Sequence, residues 1–172
     1  ANGFIGKFLC SKLNEMNFEI TAAVRNFSSI SKQINIKYVS IGDITLKKDW
    51  KDLLLGHDCV IHCAGKAHSI NNSNNSLNTF RSINLESTKR IAKQCAIVGV
   101  KRFIFLSTIG VLGNNTNNRK PFLHSDKPNP IDNYSISKLE AEQALFEISN
   151  STGLEIVIIR SPLVYGPLAP GN

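Results

Sequence analysis

The alternation of apolar and polar positions along the chain predicts a series of helices and strands. Leu9 and Leu13 recur at helical spacing, whereas Ile34, Ile36 and Tyr38 alternate with polar residues as on a half-buried strand. Applied along the chain, these patterns predict helices over residues 6–16, 46–54, 78–98 and 134–150, and strands over residues 18–24, 34–41, 58–64, 101–107 and 154–160.

Two of the predicted strands are almost continuously apolar. They are "DCVIHCA" (58–64) and "KRFIFLS" (101–107), and each is followed by a longer helical pattern. Apolar strands that alternate with helices are typical of a parallel sheet covered on both faces. We therefore predict an α/β fold with a doubly wound parallel sheet, in which ligands bind at the carboxyl ends of the strands.

The opening segment "ANGFIG" has the spacing of a nucleotide-binding turn. Phe4 and Ile5 are suited to begin a helix, Gly3 would let the backbone approach a pyrophosphate, and Gly6 would let the helix pack closely on the sheet. Because such a turn normally follows a buried strand and one more glycine, we expect the fold within this chain to lack its first strand. An ordinary helix start is the alternative interpretation of the two glycines.

The segment "NYSISKLEAEQ" places a tyrosine and a lysine one helical turn apart. Tyr134 and Lys138 share one helix face, where an ammonium would favour the phenolate and make the tyrosine a usable acid or base near neutral pH. Ser107 and Thr108 end the preceding predicted strand and offer a hydroxyl to hold a substrate oxygen. A surface pair is the alternative for Tyr134 and Lys138 alone, but the nearby hydroxyls favour a catalytic site.

Composition narrows the possible functions. The 172 residues fit one domain, with 42% hydrophobic and 19% charged residues as in a folded core. The net charge of +7 is compatible with an anionic substrate, and the absence of a basic run with interleaved aromatics argues against nucleic acid. The sequence contains no run of eighteen apolar residues, so no membrane span is predicted. No signal-peptide pattern is visible.

The cysteines and histidines bear on the redox compartment and on metal binding. Without a C-x-x-C motif, the four cysteines are predicted to be reduced and buried, as in a cytoplasmic protein. The segment "HDCVIHC" offers four candidate zinc ligands, namely His57, Cys59, His62 and Cys63. On a strand, Cys59 and Cys63 face the side opposite to His62, so these ligands do not converge and we predict no metal site.

Together these motifs resemble the extended short-chain dehydrogenase/reductases, in the branch of nucleotide-sugar epimerases, dehydratases and reductases. The resemblance covers essentially the whole chain and uses the segments "ANGFIG", "GDI" (42–44), "VIHCAGKAH" (60–68), "NLESTKRI" (84–91), "FIFLSTIGVLG", "YSISK" and "RSPLVYGP" (160–167). It implies a Rossmann fold, with residues 1–172 forming the NAD(P)-binding domain and a carboxyl-terminal half supplying the substrate pocket. The cofactor-binding residues that it implies are Gly3, Phe4, Ile5, Gly6, Arg25, Asp43, Ile44, Ala64, Gly65, Lys66, Asn84, Tyr134, Lys138, Pro162 and Val164.

The resemblance also implies individual roles. Thr108 is the preferred catalytic hydroxyl, with Ser107 as the alternative, and Tyr134 and Lys138 complete the catalytic set. The cofactor is NAD or NADP, because Arg25 stands where many members carry the aspartate that holds the adenosine ribose, and arginine there can accommodate a 2′-phosphate.

The function implied by the resemblance is 4-epimerisation of a nucleotide-diphosphate sugar through transient oxidation at sugar C4. The alternatives are an NAD(P)H-dependent 4-keto-sugar reductase and a non-catalytic cofactor-binding module. A dehydratase is less favoured, since Ile109 and Gly110 follow Thr108 where dehydratases carry an acidic pair. The whole protein is expected to form a homodimer through the helices over 78–98 and 134–150. Two departures from the family pattern are Leu112 in place of tyrosine and Ser161 in place of proline.

Overall fold

The computed structural model describes residues 1–27, 33–46, 48–67, 76–117, 120–167 and 169. These residues form two compact units. One unit comprises Ala1–Lys47 together with Val164–Asn172, and the other comprises Lys48–Leu163.

The first unit is a short βα layer. Helix α1 (Phe4–Glu15) precedes two parallel strands, β1 (Ile20–Val24) and β2 (Ile36–Ser40), which pair in register from Ile20 opposite Ile36. Cys10 of α1, Ala22 of β1 and Ile36 of β2 form its small buried core. The apolar side chains at helical spacing in α1 and at alternating positions in β1 therefore meet on one side of this sheet.

The second unit contains the remaining elements. In chain order they are α2 (Lys51–Leu54), β3 (Cys59–His62), α3 (Leu77–Phe80), a π-helical segment (Arg81–Glu86), α4 (Ser87–Ile97), β4 (Arg102–Thr108), a 3-10 turn (Ile109–Leu112), α5 (Asn133–Thr152) and β5 (Glu155–Ser161). The strands β3, β4 and β5 form a parallel sheet with β4 in the middle.

Strand β4 carries the core of this unit. Phe103 and Phe105 are fully buried, and Ser107 is also buried on the same face of the strand. Helix α5 packs on β4 and β5 and buries Leu145, and α4 packs beside α5. Full burial of a phenylalanine stabilises by roughly 1.5–3 kcal/mol, so these two rings fix β4 against its helices.

Helix α5 has defined ends. The Asp132 carboxylate accepts hydrogen bonds from the Ser135 N–H at 2.9 Å and from the Ser135 hydroxyl at 2.8 Å, so Asp132 is the N-cap. Gly153 follows the helix in the left-handed region at φ 76°, where glycine is free of Cβ strain. The helix therefore begins at Asn133 immediately before Tyr134.

The predicted α/β fold is confirmed: helices alternate with parallel strands in a Rossmann-like arrangement. The short helix predicted over 46–54 is confined to Lys51–Leu54. The residues before it bind other groups, because the Trp50 N–H donates to the Gln94 side chain and the Asp49 carboxylate accepts the Lys51 N–H. The helix predicted over 78–98 is not uniform, since it widens into the π-helical segment.

The four cysteines are not bridged to one another. Cys10 and Cys95 are buried as predicted, but Cys59 is exposed and Cys63 is only half-buried, so the prediction of four buried cysteines is wrong for these two. Within the described part of the chain, no group of three or more metal-ligating side chains comes together. The helices that the structure describes include none with the length and apolar character needed to cross a membrane.

Candidate active site

The carboxyl end of β4 and the first turns of α5 meet around Lys138. This side chain is 4% exposed, and its ammonium donates a hydrogen bond to the Leu106 carbonyl oxygen at 2.6 Å. Lys138 Nζ lies 4.3 Å from the Phe105 ring centre and 6.0 Å from the Tyr134 ring centre. The predicted placement of Tyr134 and Lys138 on one helix face is therefore what the structure shows.

The protonation of the pair differs from the sequence expectation. Burial lowers the pKa of Lys138 from 10.5 to about 8. Burial raises the pKa of Tyr134, and the nearby Asp132 carboxylate raises it further. The pKa of Tyr134 is therefore raised rather than lowered in this structure, because desolvation of the phenol is the largest effect on it.

The two hydroxyls at the end of β4 have different environments. The Ser107 hydroxyl is buried and donates to the Glu142 carboxylate. Thr108 is partly exposed, and its Oγ1 accepts a hydrogen bond from the Gly110 N–H at 3.1 Å, which starts the 3-10 turn. Only Thr108 of the two is open to a substrate, which favours it over Ser107.

Gly110 brings this turn against the start of α5. A Cβ atom at Gly110 would lie 2.5 Å from Ser135 Oγ and 3.4 Å from Thr108 Oγ1. The two hydroxyls therefore flank the Gly110 Cα, and any side chain there would push them apart. Since Ser135 directly follows Tyr134, this close approach brings Thr108 near the tyrosine backbone.

Asn84 links the loop after β3 to α5. It is fully buried in the π-helical segment, where its amide accepts from the Lys66 N–H at 2.8 Å and donates to the Lys66 carbonyl at 3.0 Å. It also donates to the Ser137 hydroxyl at 3.0 Å, and that hydroxyl donates to the Tyr134 carbonyl at 2.7 Å. One amide therefore fixes the backbone of Lys66 relative to the helix that carries Tyr134.

His62 supports the same network from β3. The Thr88 hydroxyl donates to the Asn84 carbonyl at 2.7 Å, so the 2.9 Å contact between Thr88 Oγ1 and His62 Nε2 has the imidazole as donor. Burial, with a contribution from Lys138, lowers the pKa of His62 to about 3. His62 is therefore a neutral structural donor.

The start of α1 forms the candidate phosphate turn. Nothing lies within 4 Å of the Cβ position of Gly3, the N-cap, and its carbonyl accepts the Lys7 N–H at 3.0 Å. A Cβ at Gly6 would lie 2.6 Å from the Ala1 carbonyl oxygen, so this glycine allows the preceding backbone to pass close to the helix. Phe4 and Ile5 are half-buried in the first turn, which has no acidic residue and no side-chain cap.

The first unit contains four other candidate residues, of which Arg25, Asp43 and Ile44 follow its own strands. Arg25 comes directly after β1 and has an exposed side chain, while its carbonyl accepts the Gly42 N–H at 3.0 Å. Asp43 is exposed and its Oδ1 accepts both the N–H and the hydroxyl of Thr45 at 2.8 Å, which forms a tight turn around half-buried Ile44. Val164 is 40% exposed after β5.

The remaining candidates follow strands of the second unit. Ala64 and Gly65 are exposed after β3, and a Cβ at Gly65 would lie 3.2 Å from Asn84 Oδ1 and 3.4 Å from Lys138 Nζ. Lys66 lies 5.8 Å above the Phe80 ring, and Pro162 is exposed after β5. Gly65 thus brings the β3 loop close to the lysine of α5, as expected for a site at the carboxyl ends of strands.

Several polar residues that organise this region were not singled out from the sequence. They are Thr88, Asp132, Ser135, Ser137, Glu142 and Arg160. An aspartate three residues before Ser135 is an N-cap signal that could have identified Asp132. Ser161, one of the two departures from the family pattern, donates its hydroxyl to the Ser107 carbonyl at 3.1 Å. Leu112 is simply buried.

Comparison with known proteins agrees with this arrangement. The model described as "NAD dependent epimerase/dehydratase family" matches residues 1–172. The chain belongs to this family. The family resemblance predicted from the sequence motifs is therefore confirmed.

Individual relatives are about twice as long as this chain. A UDP-glucose 4-epimerase of Vibrio cholerae is 35% identical over 174 residues, covering 100% of this chain and 52% of the relative. An Escherichia coli O157:H7 N-acetyl-alpha-D-glucosaminyl-diphospho-ditrans,octacis-undecaprenol 4-epimerase is 29% identical over 100% of this chain and 49% of its own length. The chain thus spans about half the length of the curated relatives it matches.

Solved structures show the same fold. A UDP-glucose 4-epimerase from Thermotoga maritima with UDP-glucose has a TM-score of 0.83 at 26% identity. The match covers 96% of this chain and 54% of the chain of that structure. A UDP-glucuronic acid 4-epimerase from Bacillus cereus in complex with NAD has a TM-score of 0.80 at 23% identity, with 96% and 55% covered.

Proposed function

We propose that the whole protein is a 4-epimerase of nucleotide-diphosphate sugars that uses a bound nicotinamide cofactor. The observation that carries this proposal is the joint placement of Thr108, Tyr134 and Lys138 where β4 ends and α5 begins. The UDP-glucose 4-epimerases among its relatives support the nucleotide-sugar class. Substrate, cofactor and activity are proposed here for the whole protein.

The start of α1 fits a dinucleotide. The open space beside Gly3, the lack of a side-chain cap and the lack of acidic residues in the first turn leave a helix N-terminus suited to phosphate groups. We assign phosphate contacts to Gly3, Phe4, Ile5 and Gly6. Asp43 and Ile44 would contact the adenine.

The other residues assigned to the cofactor lie after β3 and β5 and on α5. Ala64, Gly65 and Lys66 follow β3, and the Lys66 backbone is fixed by Asn84. The Lys138 ammonium would bind the nicotinamide ribose, and Pro162 with Val164 would contact the nicotinamide. When bound, the cofactor accepts and returns a hydride, and in its oxidised form it carries a positive charge.

The catalytic residues would move and hold one proton at the sugar 4-oxygen. Tyr134 would take the proton of the 4-hydroxyl and later return it, while the Thr108 hydroxyl holds the same oxygen. Because burial raises the pKa of Tyr134, its phenol form predominates and is suited to donate the proton. As a base, Tyr134 needs positive charge beside it, and Lys138 supplies part of this charge below about pH 8.

The choice between NAD and NADP depends on Arg25 in this proposal. Its exposed side chain after β1 can meet a 2′-phosphate or stack on an adenine. The family description favours NAD. Affinities of the whole protein for NAD⁺ and NADP⁺, measured with Arg25→Ala beside the wild type, would decide between them.

A 4-keto-sugar reductase is the second candidate. Tyr134 in its phenol form is already the proton donor that a ketone reduction requires, and Arg25 would allow NADPH. A dehydratase has less support, since Ile109 and Gly110 of the 3-10 turn carry no acidic side chain. A non-catalytic module would have no use for a buried Lys138 beside Tyr134.

The deciding experiment uses the whole protein and UDP-hexoses or UDP-N-acetylhexosamines, with no cofactor added. Interconversion of the two C4 epimers is the result expected for an epimerase with retained cofactor. Turnover of a 4-keto sugar only with added NAD(P)H would favour the reductase. No turnover in either assay, with cofactor bound, would favour the binding module and contradict the proposed chemistry.

We also propose that the whole protein is a homodimer in which α4 and α5 form the interface. Ile97 at the end of α4 is 70% exposed, and Phe146 on α5 is 50% exposed. Burial of these side chains against a second copy would remove apolar surface from water. Sedimentation of the whole protein should give a dimer, and Phe146→Ser should shift it towards a monomer. Monomeric wild-type protein would contradict the proposal.

A further inference from the structure

A buried acidic side chain on α5 has no role in the catalytic assignment above. Glu142 is 1% exposed, and it lies one helical turn beyond Lys138 on the same face. A carboxylate is rarely buried to this extent unless it is paired and hydrogen-bonded. The hydrogen-bond partners of the Glu142 carboxylate therefore indicate its role near the candidate active site.

Glu142 joins the two strands on which α5 packs. Its carboxylate accepts the hydroxyl of Ser107 on β4. It also pairs with the guanidinium of Arg160 on β5, at 2.7 Å from Nη2 and 3.2 Å from Nε. Both carboxylate oxygens are thus occupied by donors from neighbouring strands, and the helix is connected to the ends of both.

The end of β4 is held at the two residues before Thr108, namely Leu106 and Ser107. The Leu106 carbonyl accepts from Lys138, and the Ser107 carbonyl accepts from the Ser161 hydroxyl. The Ser107 side chain is held by Glu142, and Thr108 follows directly. Because neighbouring side chains on a strand point to opposite faces, fixing Ser107 on the buried face fixes Thr108 on the other.

We propose that Glu142 is a positioning residue, whose carboxylate holds Ser107 and Arg160 so that the Thr108 hydroxyl keeps its place beside Tyr134 and Lys138. This inference rests on the proposed function, in which Thr108 holds the sugar 4-oxygen. It assigns to Glu142 an effect on the rate of the chemical step, exerted through Ser107 and without contact with the substrate.

The negative charge of Glu142 has a second effect on the same site. It opposes the effect of burial and raises the pKa of Lys138, which keeps the ammonium charged to higher pH. Other titratable or charged groups near Lys138 and Glu142 include His62, Cys63, Tyr134 and Arg160. Loss of the Glu142 charge would leave the Arg160 cation uncompensated, which also favours a neutral Lys138.

The test is Glu142→Gln in the whole protein, with Glu140→Gln as the matched control. The glutamine keeps the size of the side chain but has one acceptor oxygen, which the charged Arg160 should take from Ser107. Glu140 lies on the same helix and pairs with Arg81 instead of a residue of β4. The control therefore removes a paired carboxylate without touching the end of β4.

We expect Glu142→Gln to lower kcat by about tenfold to a hundredfold with KM nearly unchanged, as for a misplaced catalytic group. The alkaline limb of its kcat profile should move to lower pH, and Glu140→Gln should change neither quantity. Ser107→Ala should add little to the loss in kcat when combined with Glu142→Gln, because both act through one hydrogen bond. An unchanged kcat and pH profile in folded Glu142→Gln would overturn the proposal.

A readout that needs no turnover separates this inference from the proposed function. A crystal structure of the whole Glu142→Gln protein should show Thr108 Oγ1 displaced from the Gly110 N–H. If the variant does not fold, Ser107→Ala alone should give the same displacement while Glu142 and Arg160 stay paired. An undisplaced Thr108 would contradict the positioning role whatever the enzyme turns over. A displaced Thr108 in the variant, together with a wild type that shows no turnover, would contradict only the proposed function.

Discussion

The starts of α1 and α5 are two helix N-termini that are capped differently. At α1, the N-cap is Gly3, no side chain caps the helix, and the first turn has no acidic residue. At α5, the Asp132 carboxylate accepts the backbone N–H of Ser135 and also its hydroxyl. The first end therefore has no carboxylate that would compete with a bound anion, whereas at the second end a carboxylate already accepts a backbone N–H.

The difference shows how one kind of element serves two kinds of chemistry. A helix N-terminus attracts anions through its dipole and its amide donors. The Asp132 cap neutralises this attraction at α5, so Tyr134 and Lys138 titrate in surroundings determined by burial and by individual charges. We therefore expect substitutions at α5 to change proton transfer, and substitutions at α1 to change anion binding.

The largest effect is expected from Tyr134→Phe in the whole protein. The ring and its packing beside Phe80, with ring centres 6.2 Å apart, remain, and only the proton carrier is lost. Turnover should fall by about a hundredfold to ten-thousandfold, because general acid–base groups contribute this much. Steady-state kinetics with a thermal melt as the folding control would test this, and near-normal turnover would show that proton transfer does not depend on Tyr134.

The buried Lys138 should make stability depend on pH. Its folded pKa of about 8 lies below the unfolded value of 10.5, so below about pH 8 the ammonium is charged in both states and folding carries its full desolvation cost. As pH rises from 8 towards 10.5, the folded state loses the proton first and the cost disappears, on the order of 3 kcal/mol.

Urea unfolding without added cofactor, at several pH values, tests this contribution. The free energy of unfolding of the wild type should rise across the window relative to that of Lys138→Met, because the variant has no charge to desolvate. Parallel pH dependences for the two proteins would mean that Lys138 is not desolvated in the folded state.

At α1, Gly6→Ala should destabilise the protein by about 1–3 kcal/mol through overpacking. The new Cβ would lie 2.6 Å from the Ala1 carbonyl oxygen, and this neighbour is backbone that cannot rotate away. Thermal unfolding measures the loss. A more stable Gly6→Ala variant would show that the gain in helix propensity exceeds the steric cost.

Gly3→Ala is the matched control for that prediction. Nothing lies within 4 Å of its Cβ position, and its φ of −72° and ψ of 171° are open to any residue. Its stability should therefore change by less than about 0.5 kcal/mol. Dinucleotide affinity should still fall, since the methyl group takes the space that the phosphates would approach, and unchanged affinity would argue against a phosphate turn.

Among the substitutions at α5, the smallest effect is expected from Asp132→Ala, which should lose about 1 kcal/mol of stability with the N-cap. Asp132→Asn should keep most of this stability, because its side-chain oxygen can still accept from the Ser135 N–H. Both variants should lower the pKa of Tyr134, since the Asp132 charge contributes to raising it. Chemical denaturation and the pH profile of kcat measure the two effects, and equal stabilities of the two variants would contradict the capping role.

Many of the helices and strands could be predicted from the local pattern of apolar and polar residues. Alternating apolar residues identified β2, the continuous apolar runs identified β3 and β4, and the Y-x-x-x-K spacing put Tyr134 and Lys138 on one helix face. These features depend on the 3.6- and 2-residue periods of helices and strands, which are properties of short segments. The candidate residues at the carboxyl ends of strands follow from the parallel order of the elements.

The tertiary structure decided which of these side chains are buried and what they bind. Ser107 and Thr108 are adjacent hydroxyls in the sequence, but only Ser107 meets Glu142, a residue 35 positions away. Likewise, the π-helical turn around Asn84 and the raised pKa of Tyr134 depend on contacts and desolvation that no local pattern contains. The sequence by itself determined the order of elements and the chemical groups on them, whereas packing determined their charge states, because the cost of burying a charge depends on residues brought from distant parts of the chain.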